Sequence, residues 1–576
     1  MYNTLFYSDG YKVGHKRMLA KGTTRLYGTW IPRSVKHAPK GITKIVSFGQ
    51  QMTIKWLHDE FKKNFFSLTK DEVLKFGKDM SLYLMQDYDA SHFSALHELG
   101  YLPIKIKSLP EGIETGPNIP HMTFINTVDG FGWLPLYLET IISSLAWKSS
   151  TSATLALAYK RNAIEWVKKT DPANLWLTDY MCHDFSARGL DPHSMLSSGL
   201  GHASSHKGSD TLIVIPGARH FYNESEDEVV INSVNASEHS VSTTKIFTVG
   251  EKQMIIDWLK EFPTGILSIV ADTFDLWKLI TEYLTDPEVK KLVLARDGKL
   301  VIRPDSGDPV DIICGKNSVM SFDNLYEEYC GGLDEDTLFQ VDDILYMFHP
   351  DVLEETLEEY GEEAKDCFCQ CNIKRCIEAG YFTKFEVSNK AENKGVIELL
   401  WDTFGGTTNE QGFKVLDSHI GAIYGDSITL DRQVEIYSRL AAKEFASTNI
   451  LLGVGSFTYQ FNTRDTFGFA AKGAWFEVLE EGKRTSFNIY KDPITDDGTK
   501  VSLKGLCAVH EDDQGCSNPS GNYFVKTECT EAEEKEGILQ VIYEDGKFYN
   551  ETTLTKIREK LSSINQKVNR LDTVKG

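Results

Sequence analysis

The sequence predicts a mixed α/β protein: an α/β barrel accompanied by a flanking, β-rich α+β domain. Three observations predict it. Between about residues 175 and 472, short apolar, β-branched runs alternate with helical patterns, as buried parallel strands and their crossover helices do. Four of these runs finish in Asp, Ser or Gly, the polar and flexible residues that mark the functional face of a barrel. The two ends of the chain instead mix aromatic-rich, strand-like runs with turns and helices. The expected division puts the flanking domain at 1–150 and 473–576 and the barrel at 151–472, with an acidic, helical insertion at about 315–415.

Taken in order, TRLYGTWIPR (24–33) and LPIKIKSLPEG (102–112) read as strands of the flanking domain. The expected barrel strands are DTLIVI (210–215), ILSIVAD (266–272), KLVIRPDSG (299–307), HIGAIYGDS (419–427) and NILLGVGS (449–456). Residues 334–363 contain no Lys or Arg, and the spacing of Leu353, Leu357 and Tyr360 suggests a short helix with a solvated acidic face. Near the C-terminus, Asp545-Gly546 suggests a hairpin, followed by a helix.

Composition narrows the function. The 576 residues carry 61 Lys+Arg against 83 Asp+Glu, a net charge of −22 that argues against general nucleic-acid binding. No apolar run approaches membrane-spanning length, and the first residues lack the order of a secretory signal, so a cytoplasmic location is the expectation. The ten cysteines include a cluster at Cys367, Cys369, Cys371 and Cys376; without a paired C-x-x-C it reads as structural thiols rather than a metal site.

Four constellations suit chemistry on a small phosphorylated substrate. Gly453, Gly455 and Ser456 follow an apolar strand, where a glycine turn exposes backbone N–H groups to an anion, with Arg464 and Lys472 beyond. Arg303-Pro304-Asp305-Ser306-Gly307 offers a cation for phosphate or a flat ring and a carboxylate for sugar hydroxyls or Mg²⁺. Asp272 and Asp426 stand at equivalent strand ends; the alternatives are a local salt bridge and helix capping. His239, after Glu238, reads as a general base or a nucleophile toward phosphate, or as a structural histidine. Phe185 and Arg188, beside Asp184, would share a face if helical and could sandwich a flat heteroaromatic ring, or simply pack.

Together these residues resemble the nicotinamide phosphoribosyltransferase family through most of the chain. Asp9-Gly10-Tyr11-Lys12-Val13 with His15 is similar to its D-S-Y-K-V-x-H segment, and His183 to Gly189 to its H-D-F-x-x-R-G. Lys207 to Thr211 stands for K-G-T-D-T, Ser233 to Ser240 for S-V-x-A-x-E-H-S, and Ile302 to Gly307 is an unaltered I-R-P-D-S-G. Gly425-Asp426, Thr463-Arg464-Asp465 and Lys491-Asp492-Pro493 resemble three further elements.

The resemblance implies the irregular α/β barrel of type II phosphoribosyltransferases, and an enzyme that moves phosphoribosyl from phosphoribosyl pyrophosphate to nicotinamide. Phe185 and Tyr11 of the partner subunit would stack on the two faces of nicotinamide, with Asp210 accepting from the carboxamide. Arg188 and Arg303 would hold the ring and the donor's phosphates. Asp305 would bind the ribose hydroxyls, with Asp272, Asp9 and Asp426 in the same region. Gly425, Gly453, Gly455, Ser456, Arg464 and Lys472 would form the 5′-phosphate site, and Arg33 and Lys491 would reach pyrophosphate or ATP. The resemblance further implies an ATP-coupled cycle through phosphorylated His239, Mg²⁺ held mainly by the pyrophosphate, and a homodimer with shared sites.

Two departures stand out: Gly453-Val454-Gly455-Ser456-Phe457 replaces the eukaryotic G-S-G-G-G, and Ala470 replaces a serine. Asp210 favours the amide over nicotinate, because a buried carboxylate repels another. The rival readings are a nicotinate phosphoribosyltransferase and a non-catalytic binding protein of the same fold. An aldolase-like barrel would need a Schiff-base lysine at a strand end, and none of the expected strands supplies one.

Overall fold

The computed structural model describes residues 3–316, 319–321, 338–341, 344–348, 382–385, 391–495, 500–512 and 523–572. Its chain folds into two compact units: 1–161, 184–232 and 455–576 form one, and 162–183 with 233–454 the other.

The second unit carries the parallel half-barrel. Its sheet runs in the order Cys182–Asp184 (through His183), Ile450–Val454, Ile420–Tyr424, Asp297–Arg303, Thr264–Val270, Asn235–Ala236. The central neighbours pair in parallel, Ile269 opposite Ile302 and Ala422 opposite both Ile302 and Ile450. Every residue of the central strand Ile420–Tyr424 is buried, which is why it reads as a continuous apolar run rather than an alternating one. Each strand feeds a helix through a short loop, and the helix caps are specific: Asp275, Asp308 and Thr429 accept N–H bonds at their helix starts. Asp272, Asp305 and Asp426, which the sequence left open between capping and chemistry, are therefore not the caps.

The first unit is built on a seven-stranded sheet in the order Lys483–Asn488, Ala470–Glu480, Thr23–Ile31, Met122–Asn126, Ile104–Ser108, Gln540–Glu544, Lys547–Phe548. All of its pairings are antiparallel. Trp30, fully buried, stacks on Phe469 with ring centroids 4.4 Å apart, joining the first strand to the start of the Ala470 strand in one core. The C-terminal hairpin turns at Asp545 and Gly546, both at positive φ (49° and 82°), the backbone that a two-residue hairpin turn demands.

Three expectations are corrected or displaced. The run 210–215 is no strand: isolated parallel bridges occur at Gly208 and Ser209, and Val214–Tyr222 is a helix. The buried Val214, Ala218, Phe221 and Tyr222 follow the helical period, while Leu212 and Ile213 are exposed. Within the insertion, expected to be helical, Ala391–Phe404 is a helix, but Val319–Ser321, Leu338–Val341, Ile344–Phe348 and Phe382–Phe385 form a four-stranded sheet. The helix expected around 353–360 and the cysteine cluster at 367–376 lie outside the described residues. The compact units also follow other boundaries than 150 and 473, since 184–232 joins the first unit.

Candidate active site

In the second unit, three strand ends converge on one carboxylate. Asp272, two residues beyond Thr264–Val270, has a side chain only 6 % exposed. Its Oδ1 lies 3.1 Å from His239 Nε2, and its Oδ2 accepts from the Asp305 backbone N–H (2.9 Å) and the Ser306 hydroxyl (2.5 Å). Because a carboxylate only accepts, His239 Nε2 carries the proton and Nδ1 is left as the lone-pair nitrogen. His239 opens the helix His239–Val249 and is half-exposed, as expected of a histidine in a loop entering a helix.

Arg303 ends the strand Asp297–Arg303. Its Nη2 donates to the Ser237 carbonyl at 2.7 Å, while its buried Nε has no acceptor among the described residues. Gly425 lies against Asp305 so closely that a Cβ there would stand 2.3 Å from Asp305 Oδ1. Burial pushes the Asp305 carboxyl above the usual carboxylate range; Arg303 opposes the shift, and Asp272 and Asp426 add to it. The structure thus brings His239, Asp272, Arg303, Asp305, Gly425 and Asp426 together.

The first unit holds two further groups. Asp184, fully buried, accepts from Ser186 N–H (2.9 Å) and Thr211 Oγ1 (2.7 Å) through its side chain, and its carbonyl takes the Asp210 N–H (3.0 Å). This one residue sets Phe185 and Asp210 on adjacent chain segments. Phe185 follows the strand Cys182–Asp184 and Arg188 lies in a single 3-10 turn, Ala187–Gly189, so the helix-face argument that paired them does not apply. The turn at Gly455 and Ser456 lies beside them: a Cβ on Gly455 would stand 3.9 Å from the Phe185 carbonyl. Gly453 is inside the strand Ile450–Val454, outside that turn.

The second group joins the N-terminal segment to the Ala470 strand. Tyr11, 66 % exposed, donates to Asp9 Oδ2 (3.3 Å), which also accepts from Thr140 Oγ1 (2.6 Å). Glu139 bridges Lys12 (2.7 Å) and Lys472 (3.3 Å). Burial and the neighbouring Asp9 push the Tyr11 phenol up, and Arg464 opposes them. Arg33 Nε donates to the Gly468 carbonyl (2.9 Å), in the loop that follows Arg464. Lys491 is exposed and its backbone exchanges bonds with Ser502.

Sequence reasoning singled out neither Ser237, which receives Arg303, nor Asp184 as a clamp. A buried Asp directly before an aromatic and a basic residue was the available signal for the second; the first had none.

Residues 180–531 match the sequence profile of the nicotinate phosphoribosyltransferase family. The chain belongs to that family. Among curated relatives, the nicotinamide phosphoribosyltransferase of Acinetobacter baylyi is 34 % identical, over 97 % of this chain and 97 % of that protein. The nicotinamide phosphoribosyltransferase of Mycoplasma pneumoniae is 28 % identical, over 86 % and 93 %. A crystal structure of human nicotinic acid phosphoribosyltransferase aligns over 98 % of this chain and 93 % of that one, at 12 % identity and a TM-score of 0.47, too loose a superposition to bear on the site. For a member of the nicotinate phosphoribosyltransferase family, the two departures here are placed plainly. Val454 and Ala470 are buried, Ala470 opposite Ile31 in the antiparallel sheet, whereas Phe457 is exposed beyond the glycine turn.

Proposed function

We infer that this chain is a phosphoribosyltransferase that joins nicotinamide to the ribose of phosphoribosyl pyrophosphate, giving nicotinamide mononucleotide and pyrophosphate. The observation that carries the choice of the amide is Asp210, which is exposed rather than buried as expected from the sequence, so its preference rests on charge and not on burial. Its N–H is tied to Asp184, next to Phe185. A carboxylate there accepts from the carboxamide NH₂ and repels the anionic nicotinate. Phe185, Arg188 and Tyr11 of the partner subunit would hold the ring, Asp305 the ribose hydroxyls, and Gly455, Ser456, Arg464 and Lys472 the 5′-phosphate. Arg303 has a buried Nε, without an acceptor among the described residues, to meet an anionic oxygen. The reaction asks for alignment of the ring nitrogen with the anomeric carbon and for charge stabilisation of the departing pyrophosphate.

Mg²⁺ would arrive on the pyrophosphate and neutralise charge on the leaving group. Among the described residues no group of three or more carboxylate, His or Cys side chains is placed to hold a metal ion, so the pyrophosphate oxygens would supply most of its ligands. ATP hydrolysis would be coupled through His239: the Nδ1–P bond forms as the bond to ADP breaks, with Nε2 retained by Asp272, and water then cleaves the Nδ1–P bond to release inorganic phosphate. The working form is a cytoplasmic homodimer that shares its sites across the interface.

Two outcomes test this reading. Purified protein is expected to turn over nicotinamide in strong preference to nicotinate, and Asp210→Asn to narrow the ratio of their kcat/KM values by about tenfold, since one repulsive charge pair is worth roughly that much. Equal use of both acids and amides by the unaltered protein refutes the assignment and favours the nicotinate enzyme. His239→Ala is expected to keep slow transfer but to reduce the ratio of rates with and without ATP to about one, measured by mononucleotide and ADP release. An ATP response that survives the substitution removes His239 from the cycle.

A further inference from the structure

We propose that Tyr459 is a positioning residue that couples the turn at Gly455–Ser456 to the ring clamp at Phe185–Asp210, so that a phosphate seated on the turn tightens the hold on nicotinamide. The proposal rests on the substrate reading above and adds to it a link between its two halves. Every residue in the argument belongs to the first compact unit.

Tyr459 closes the short helix Ser456–Tyr459 and is fully buried. Its N–H donates to the Gly455 carbonyl at 2.8 Å, so its backbone moves with the turn. Its carbonyl accepts from the buried Lys148 ammonium, which also donates to Asn462 Oδ1 (3.0 Å). That anchor fixes the rear of the turn to the first-unit part of the helix Leu134–Thr170, which carries Lys148. Burial lowers the Lys148 pKa to about 8, in keeping with an ammonium whose environment is protein rather than water.

The side chain points the other way. The Tyr459 hydroxyl lies 2.7 Å from His202 Nδ1, and His202 Nε2 lies 2.9 Å from the Gly208 carbonyl. A carbonyl only accepts, so Nε2 carries the imidazole proton, and Nδ1 accepts from the tyrosine hydroxyl. Both rings are fully buried. Gly208 O also takes the Asp184 N–H (3.1 Å), and two residues later Asp210 N–H returns to Asp184 O (3.0 Å). The next residue of the turn grips the other half of the clamp. Gln460 Nε2 donates to the Ser186 carbonyl (2.9 Å), and its amide fills the space where a Cβ on Gly189 would stand. Residues 459 and 460 thus hold both sides of the clamp from one turn. Directional bonds between buried groups transmit a displacement that a loose apolar contact would absorb.

The test is calorimetric titration of the full chain with nicotinamide, in the absence and presence of saturating ribose 5-phosphate. For the unaltered protein the nicotinamide Kd is expected to fall by about tenfold when the sugar phosphate is present, within the usual range of coupling between sites. In Tyr459→Phe, which removes the hydroxyl and keeps the ring, both ligands still bind and the ratio of the two Kd values falls to about one. His202→Leu cuts the same link at its other end and is expected to do the same, while His202→Gln, which keeps a donor and an acceptor, retains most of the ratio. A general loss of stability lowers both affinities but leaves their ratio in place, so the ratio separates positioning from packing. Unaltered protein that binds neither ligand refutes the substrate reading and this proposal with it. Unaltered protein that binds both ligands independently refutes the coupling alone, even if no variant folds. A tenfold ratio that persists in Tyr459→Phe refutes the role of Tyr459.

Discussion

Asp272→Ala is expected to lower kcat/KM for phosphoribosyl pyrophosphate by about 10²- to 10³-fold, the cost of releasing groups that must be held in place before reaction. Three bonds end on this one carboxylate, from His239 Nε2, Asp305 N–H and Ser306 Oγ. Without it the Asp305 amide loses its acceptor, and the loop that presents the ribose-binding carboxylate is free to shift. His239 at the same time loses the group that fixes its tautomer, so Nδ1 is no longer reserved as the nucleophile. The substitution therefore strikes twice, and the ATP response is expected to fall together with basal transfer. That pattern differs from His239→Ala, which spares the Asp305 loop. Steady-state kinetics with and without ATP distinguishes them. An Asp272→Ala enzyme within threefold of the parent on both measures would show that the contacts do not organise the site.

The parts of the site that were legible in the sequence share a physical cause. A strand buried on both faces, as Ile420–Tyr424 is, must be apolar throughout and reads clearly, with Asp426 just beyond it. Thr264–Val270 and Asp297–Arg303 are buried only in part, but each carries a short apolar run toward its C-terminal end, which places Asp272 and Asp305 beyond the ends of parallel strands. DTLIVI failed because an apolar run of that length fits a buried strand or one side of a helix equally well. The tie from Thr211 to Asp184 ends the pairing there, and it joins residues 27 positions apart. Contacts of this kind leave no local pattern. The His202–Tyr459 bond spans 257 positions and was invisible for the same reason. In the insertion, the run of acidic residues drew attention to a solvated helix, while short stretches such as LFQV and ILYMF, rich in aromatic and branched residues, carried the strand signal.

The last expected result concerns a residue without a side chain. Gly425→Ala is expected to reduce kcat/KM for phosphoribosyl pyrophosphate by about 10²-fold, as a displacement of about an ångström at a reacting centre does, with a much smaller change in stability. The added methyl would sit 2.3 Å from Asp305 Oδ1, 3.3 Å from its Cγ and 3.7 Å from Arg303 Cδ. No real carbon approaches an oxygen so closely, so something must move. The backbone of Gly425 is held by its N–H on the Pro304 carbonyl (3.3 Å), and it follows a strand that is buried at every position. The carboxylate at the end of a short side chain is the softer partner, and it is the one that yields. Folding then survives because a rotated Asp305 still reaches solvent, whereas ribose recognition does not, because the hydroxyl acceptor has left its place. Thermal unfolding read beside the kinetics checks the argument: a large fall in Tm with unimpaired kcat/KM would mean that the backbone moved and the carboxylate stayed, and that Gly425 serves packing alone.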